Sequence, residues 1–484
     1  MPLSNNEFAF TLLILHMYFD GYSHPHLWRV AYLSLVLFCE GTLLWITTDI
    51  ITYSTQSLPG FDKSYEAVST LSDFFTIFAP MVAPSLIRKK SLRFTLWFST
   101  TGCTLFCLFS VILSYCAEKA DTCNIAGLTV GAVILTIFSN FAHCLLLISV
   151  VAYGMRTSPP EERGNFLGVI LGIEGLTAVG NASLIYLLRS MKGQEWIISI
   201  FFTIISLINT MTVYNFPDPQ KIESKKAVQD ILEHSNSIGS ILTILKKLIR
   251  ISNFKKLFAL MAFTGALVAV YEGKFDYQLC THNLVLGTES PGYLFVLGGF
   301  AAFGAFLNGY LIDLNSKIVS FKIGFSVFTV AIVIGIVNYF LNISILNYIE
   351  LAIYGYSDTA GELIVLAFIA HEFAAKLEGI CFQQMLHQST YFVFTLITKY
   401  WGQYLPITII LWVFGAVALH YVTKFDLMAI FEDEYFKNHT ILPDSQDSDI
   451  LGGYFKNKNR SLNSESDFGS RIDKPLIGSV QTAV

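Results

Sequence analysis

The segment PDPQKIESKKAVQDILEHSNSIGSILTILKKLIRISNFKK, Pro217 to Lys256, decides how the rest of the chain is read. It is the one long interior run too polar to sit in a bilayer. It carries Lys221, Lys225, Lys226, Lys246, Lys247, Arg250, Lys255 and Lys256, and that much positive charge holds a segment on the cytoplasmic side of a membrane. Within it Ile231, Leu232, Ile238, Ile241, Leu242, Leu245, Leu248 and Ile249 fall near helical spacing. That is the pattern of a basic amphipathic helix on the inner leaflet; a solvated connector accounts for the same residues equally well. Six apolar segments precede the stretch and five or six follow it, so it reads as the hinge between two membrane bundles.

Composition supports this. Hydrophobic residues make up 53% of the 484, charged residues 14%, and phenylalanine occurs 41 times. A soluble domain carries about a quarter of its residues as Asp, Glu, Lys or Arg. With a mean hydropathy of +0.55, the expectation is an all-α polytopic membrane protein whose first partner is the lipid bilayer. The formal net charge of -5 is spread without a basic face for nucleic acid. There is no phosphate-cradling Gly-Lys-Ser/Thr loop, no His-Glu-x-x-His pair and no Gly-x-Ser-x-Gly elbow, which argues against an ATP-driven pump and against an enzyme. The eight cysteines are dispersed without metal-ligand spacing, so neither metal nor cofactor is expected. Cys103, Cys107, Cys144 and Cys381 read as small buried hydrophobes. Cys116 and Cys123 bracket a short polar loop on the outer side, as a disulfide or as two thiols. The apolar run Phe8–Tyr18 ends at Asp20, His24 and His26 without a small-residue cleavage site and reads as interfacial rather than as a signal peptide.

A transmembrane helix needs roughly 20 mostly apolar residues. The first half offers Trp28–Tyr53, Tyr65–Ile87, Phe94–Tyr115, Ile125–Met155, Phe166–Leu188 and Trp196–Phe216. The second offers Leu257–Tyr277, Gly292–Leu314, Phe321–Leu341, Glu362–Met385 and Tyr404–Thr423. Asn342–Asp358 and Gln388–Gln403 fit either interfacial segments, for eleven spans, or parts of a twelfth. The organisation is then an N-terminal segment 1–27, a six-helix bundle 28–216, a cytoplasmic loop 217–256, a five- or six-helix bundle 257–423 and a polar tail 424–484 expected to be disordered. With the N-terminus inside, loops 88–93, 156–163, 217–256 and 317–322 hold sixteen Lys and Arg, against Lys63, Lys119, Arg189 and Lys192 outside. This bias places the N-terminus in the cytoplasm, in the plasma membrane or an organelle membrane.

Ionisable residues inside spans are costly and mark function. They are Glu40, Asp49, Asp73, Glu174, Glu272, Asp276, His371, Glu372 and Glu378, of which Asp276 sits near a span end and suits the interface. Glycines 164, 168 and 172 share one face of span five at i, i+4 and i+8, which lets a neighbouring helix approach closely. Span eight ends Asn308-Gly309-Tyr-Leu-Ile-Asp313-Leu-Asn-Ser-Lys317. An acid four residues before a cation makes a gate ion pair or caps the next element, and the run resembles the loop signature of the major facilitator superfamily. Two halves, intramembrane acids and glycine-faced helices point to a secondary transporter of a small-molecule solute.

Span one, Glu40-Gly-Thr-Leu-Leu-Trp45-Ile-Thr-Thr-Asp49-Ile-Ile-Thr-Tyr53, resembles the first helix of the equilibrative nucleoside transporters, with Ile46 where that family has Asn. Tyr153-Gly154, Pro159, Pro160 and the run Gly172 to Leu176 add a second similarity, and Asp313 with Lys317 is similar to the family's Asp-x-x-x-Arg element. The resemblance implies eleven spans, a large cytoplasmic loop between spans six and seven, and nucleosides or nucleobases as solute. It implies Trp45 stacking on a base and Asp49 and Ser149 hydrogen-bonding polar groups, with Ser149 at a span-four contact position. Glu40 or Glu174 would handle protons if transport is concentrative. Asp313 and Lys317 are the gating candidates. A carrier of folate–biopterin, sugar or amino-acid type, and a membrane receptor or scaffold that uses the tail and central loop, are the alternatives. Oligomeric state is not legible in the sequence.

Overall fold

A backbone that crosses hydrocarbon must satisfy its own N–H and C=O groups, and helices do this within one segment. The computed structural model describes residues 26–55, 62–118, 123, 125–190, 195–217, 246, 248–274, 290–314, 317–341, 343–373, 376–401 and 404–424, and among them the chain is helical without strands. Phe8–Tyr18, most of the 217–256 segment and the tail lie outside these residues. Met1–Ile430 forms one compact unit; Phe431–Val484, the second, also lies outside them.

In chain order the helices are α1 Leu27–Thr55, α2 Asp62–Thr76, α3 Ala79–Lys90, α4 Leu92–Glu118, α5 Ile125–Thr157, α6 Arg163–Gly175, α7 Thr177–Ser190 and α8 Glu195–Tyr214 in the first half. The second half holds α9 Ser252–Lys256, α10 Phe258–Lys274, α11 Ser290–Leu314, α12 Lys317–Leu341, α13 Ser344–Glu372, α14 Lys376–Trp401 and α15 Tyr404–Thr423. Ten stretches among the described residues are each long and apolar enough to cross a membrane, with α6–α7 counted as one and α9 joined to α10. The pair α2 and α3, bent by 46° at Ile77–Phe78, makes an eleventh. Pro80 enters α3 at its first turn, where a missing N–H costs nothing.

α14 is the twelfth long helix. Its 26 residues span about 39 Å at 1.5 Å per residue. Mean hydropathy misses it because Glu378, Gln383, Gln384 and His387 are turned into the bundle and buried. This corrects the span expected at Glu362–Met385. The chain breaks at extended Phe373, so Glu362 belongs to α13 and Met385 to α14. The apolar run 363–370 hides the break from hydropathy, but His371, Glu372, Lys376 and Glu378 crowd around it and mark a polar end. The flanking regions of uncertain assignment complete two full helices, and the described architecture is six spans and six.

Lipid-facing and inward faces separate with helical period. On α8, Ile197, Ile200, Phe201, Ile204, Leu207, Ile208 and Met211 are exposed, while Ser199, Phe202, Ser206 and Thr210 are buried. Hydroxyls inside the helices return to their own backbone, as Ser34 to the Val30 carbonyl at 2.7 Å and Ser99 to that of Thr95 at 2.8 Å.

The two halves meet mainly where α6 and α7 pack on α11, where α14 packs on α2, α3 and α5, and where α13 packs on α6. The glycine face of span five does what its spacing predicts. A methyl added at Gly309 would lie 2.7 Å from the Gly164 carbonyl oxygen and 3.1 Å from the Gly168 Cα, and one added at Gly172 would strike the Phe306 ring at 2.8 Å. The described disulfide is Cys116–Cys123, with Cα atoms 5.8 Å apart. Gly309→Val is expected to lower the thermal stability of the detergent-solubilised protein by about 1–3 kcal/mol. Gly299→Ala, where an added methyl meets nothing within 4 Å, should leave it unchanged or raise it by up to ~1 kcal/mol. Equal melting of wild type and Gly309→Val would remove the close approach as the packing basis of this interface.

Candidate functional site

Alternate connections gather at one end of the bundle, and this end is basic: Arg88, Lys89, Lys90, Arg93, Arg156, Arg163, Lys317, Lys322 and Lys376 all lie there. Here the halves are tied by directional polar contacts. Asp313, next to last in α11, accepts the N–H groups of Gly164 and Asn165, each at 2.8 Å. These are first-turn donors of α6 that the helix cannot satisfy itself, so a carboxylate from one half caps a helix of the other and meets its positive dipole end. Arg163 donates to the Ala370 carbonyl at 2.9 Å, near the end of α13. Arg88, at the end of α3, forms a buried ion pair with Glu378 at the start of α14. Two of the three ties are reciprocal: the end of span eight holds the start of span five, and the end of span two holds the start of span eleven.

Asp313 and Lys317 therefore do not form the pair that their spacing suggests. Asp313 reaches across to α6, and Lys317 pairs with Glu372 of its own half at 3.1 Å.

At mid-depth a second constellation forms. Span five is interrupted at Leu176, whose N–H reaches the Ile173 carbonyl at 3.2 Å before the helix resumes at Thr177. Just before the interruption, half-buried Glu174 lies within electrostatic range of Glu362 on α13. Glu362 is gripped from α14: Gln384 Nε2 donates to its Oε1 at 2.8 Å and Gln383 Nε2 approaches the same oxygen at 3.5 Å. Both glutamines are at most 2% exposed, and their amide oxygens are buried without a partner. His387, one turn further on, meets the Thr264 hydroxyl of α10 through Nδ1 at 3.1 Å and lies in range of Glu362, as does Cys144 of α5. Every described Lys and Arg sits within two turns of a helix end or in a connection, so no fixed cation answers these acids.

Of the residues singled out from sequence, Glu174 alone joins this group. Glu40 is fully buried inside the first half, where Ser206 Oγ donates at 2.7 Å and Asn209 Nδ2 at 2.8 Å from α8, and Thr104 of α4 extends the network at 2.9 Å from Ser206. Trp45 is partly buried against the apolar core, and Asp49 is half-buried on α1. Ser149 is fully buried on α5 with its hydroxyl unpaired. Asp73 lies within range of exposed Lys399. His371, Glu372 and Glu378 belong to the basic end, while Asp276 and the Glu272 side chain lie outside the described residues. Sequence reading passed over Glu362, Gln383, Gln384 and His387. Glu362 stood at an expected span start, where an acid is unremarkable; the signal was the adjacent glutamine pair followed by a histidine, three polar residues in an otherwise apolar run.

No protein-family model and no curated protein sequence matches the chain, but solved structures do. It is similar to a bacterial homologue of the iron transporter ferroportin in an outward-facing state, at 13% identity over 82% of this chain and 99% of that one, with a TM-score of 0.60. The proton:xylose symporter XylE, a major facilitator protein, follows at 13% identity, 85% and 96% coverage and 0.58. The E. coli fucose:proton symporter FucP gives 15%, 81% and 98%, and 0.54. The fold is that of the major facilitator superfamily.

Arg88→Gln leaves Glu378 buried without its partner and is expected to cost about 3–5 kcal/mol of stability; adding Glu378→Gln should recover most of it, a coupling that a double-mutant cycle of thermal melts would read. Equal losses in single and double variants would deny that the pair acts as a unit. Asp313→Asn is expected to accelerate amide hydrogen exchange across residues 163–166 by about 10-fold or more, since bonds to a charged acceptor are worth about 1.5–3 kcal/mol. Unchanged exchange there would show that the carboxylate does not hold α6.

Proposed function

We infer that the chain is a secondary transporter that carries a small polar organic solute across the membrane by alternating access, with proton movement at Glu174 and Glu362. The observation that carries this reading is a carboxylate on each half, Glu174 and Glu362, within electrostatic range of one another at mid-depth, with directional ties between the halves at the basic end. Away from that end the described contacts between the halves include ring pairs, Phe74 with Phe392 at 5.7 Å beside the mid-span bend and Tyr186 with Phe295 at 6.4 Å near the other end, and Asp73 lies in electrostatic range of Lys399. Such contacts are weak enough to part and re-form as the halves rock about a midplane site.

The basic end belongs in the cytoplasm. The Cys116–Cys123 disulfide, between α4 and α5 at the other end, supports this, because disulfides persist on the oxidising side. The halves are then tied together at the cytoplasmic end. Opening to the cytoplasm requires Asp313 to leave the α6 N-terminus and Arg88 to leave Glu378.

Nucleosides and nucleobases are one concrete form of such a solute, since span one resembles carriers of that class. Their exocyclic amines donate to carboxylate and amide oxygens. Trp45, Asp49 and Ser149 are the first half's share of that reading.

In proteoliposomes the wild-type protein is expected to take up labelled solute saturably from a panel that begins with adenosine and hypoxanthine, faster under a pH gradient. Glu362→Gln should slow that uptake by about 10-fold or more. Folded protein that moves no solute in the panel would turn the reading towards a receptor or scaffold.

A further inference from the structure

The polar atoms between the halves are acceptors in excess. Glu362 uses one oxygen to receive Gln384 and Gln383, which leaves both amide oxygens buried and unpartnered beside it. Glu174 adds a second carboxylate across the interface. A buried acceptor without a donor is unfavourable, and a carboxylate held largely away from water without a counter-charge is more so. Within the spans the chain supplies no Lys or Arg to settle either debt, because every described one stays near a helix end. The remaining titratable neighbours in range are Cys144 from α5 and His387 from α14, while α10 presents the Thr264 hydroxyl. Asp358, one turn before Glu362, accepts the Tyr271 hydroxyl at 3.3 Å.

We propose that the Glu174–Glu362 site takes a monovalent organic cation rich in N–H donors, a protonated amine or a guanidinium, in exchange for a proton. The inference rests on the transporter reading above and narrows its solute. In this exchange the proton rests on the pair when the site is empty and offsets part of its like-charge repulsion. An entering cation brings its own charge and its own N–H groups. The shared proton leaves to water, both carboxylates face the cation, and the unpaired glutamine oxygens receive its remaining N–H groups. One positive charge enters as one leaves, and the proton returns when the cation departs. An anionic solute would meet two like charges and no counter-charge. A metal ion suits the set less well, since no group of three or more His, Cys, Asp or Glu among the described residues is arranged to hold one.

The test uses full-length protein in detergent at neutral pH in weak buffer, with methylguanidinium as probe, tetramethylammonium as a cation without N–H groups, and adenosine as a neutral donor. Methylguanidinium is expected to raise the melting temperature and release protons on binding; tetramethylammonium at the same concentration should do neither. Glu174→Gln and Glu362→Gln should each weaken methylguanidinium by about 10-fold or more and abolish proton release, with the melts of unliganded variants reporting folding. Gln384→Leu, which removes an acceptor together with the donor to Glu362 and leaves the charge unchanged, should weaken it by about 2- to 10-fold. No stabilisation of folded wild type by methylguanidinium, or equal stabilisation of wild type and all variants, would overturn the assignment. In proteoliposomes with an acidic interior, labelled methylguanidinium should accumulate. Binding without uptake would keep the cation site and remove the transporter reading. Uptake of adenosine that methylguanidinium does not compete would keep the transporter and remove the cation site.

Discussion

The closeness of α6 and α11 is the constraint on which the rest of the molecule depends. In lipid there is no hydrophobic drive to bring helices together, so contact must come from packing and from polar bonds. Gly164, Gly168 and Gly309 remove the side chains that would hold the two backbones apart, and the added-methyl distances of 2.6 to 3.1 Å show how little room is left. Only at that separation can Asp313 place both oxygens on the Gly164 and Asn165 amides. Packing and capping are thus one device: the glycines set the distance and the carboxylate uses it.

That device fixes what sits above it. Because α6 is held at its first turn by the second half, Glu174 near its last turn is carried to the α13 side of the interface, in range of Glu362. The Arg88–Glu378 pair does the same for α14, whose next turns bring Gln383, Gln384 and His387 to the same depth. Ties at the end and acceptors in the middle are therefore mechanically linked: a change that frees Asp313 or Arg88 also moves the helices that carry the central site. Buried pairs of this kind add little net stability. Their geometry fits one arrangement of the helices, because removing either partner leaves a buried charge unanswered.

Glu40 shows the other fate of a buried acid. Ser206 and Asn209 satisfy both its oxygens from a helix of the same half, so it fastens α1 to α8. A deep acid is costly wherever it sits, but whether it joins its own half or reaches the interface between halves depends on which side of its helix it occupies.

The sequence by itself determined the class, the two-half layout, the first six spans and the glycine face of span five, because composition, length of apolar runs and i, i+4 spacing are properties of the chain alone. It also marked Glu174, Asp313 and Cys116 with Cys123 as residues of interest. What it could not contain were distances between residues far apart in the chain. Asp313 and Lys317 are four residues apart, yet their partners are the α6 N-terminus and Glu372. Glu174 and Glu362 are far apart in sequence and come into electrostatic range only because α6 packs on α13 across the two halves. The α13–α14 break and the polar helix behind it escaped hydropathy for a related reason: a helix whose polar face is turned inward looks, residue by residue, too wet to cross a membrane. Burying that face against five other helices was a decision of the tertiary structure.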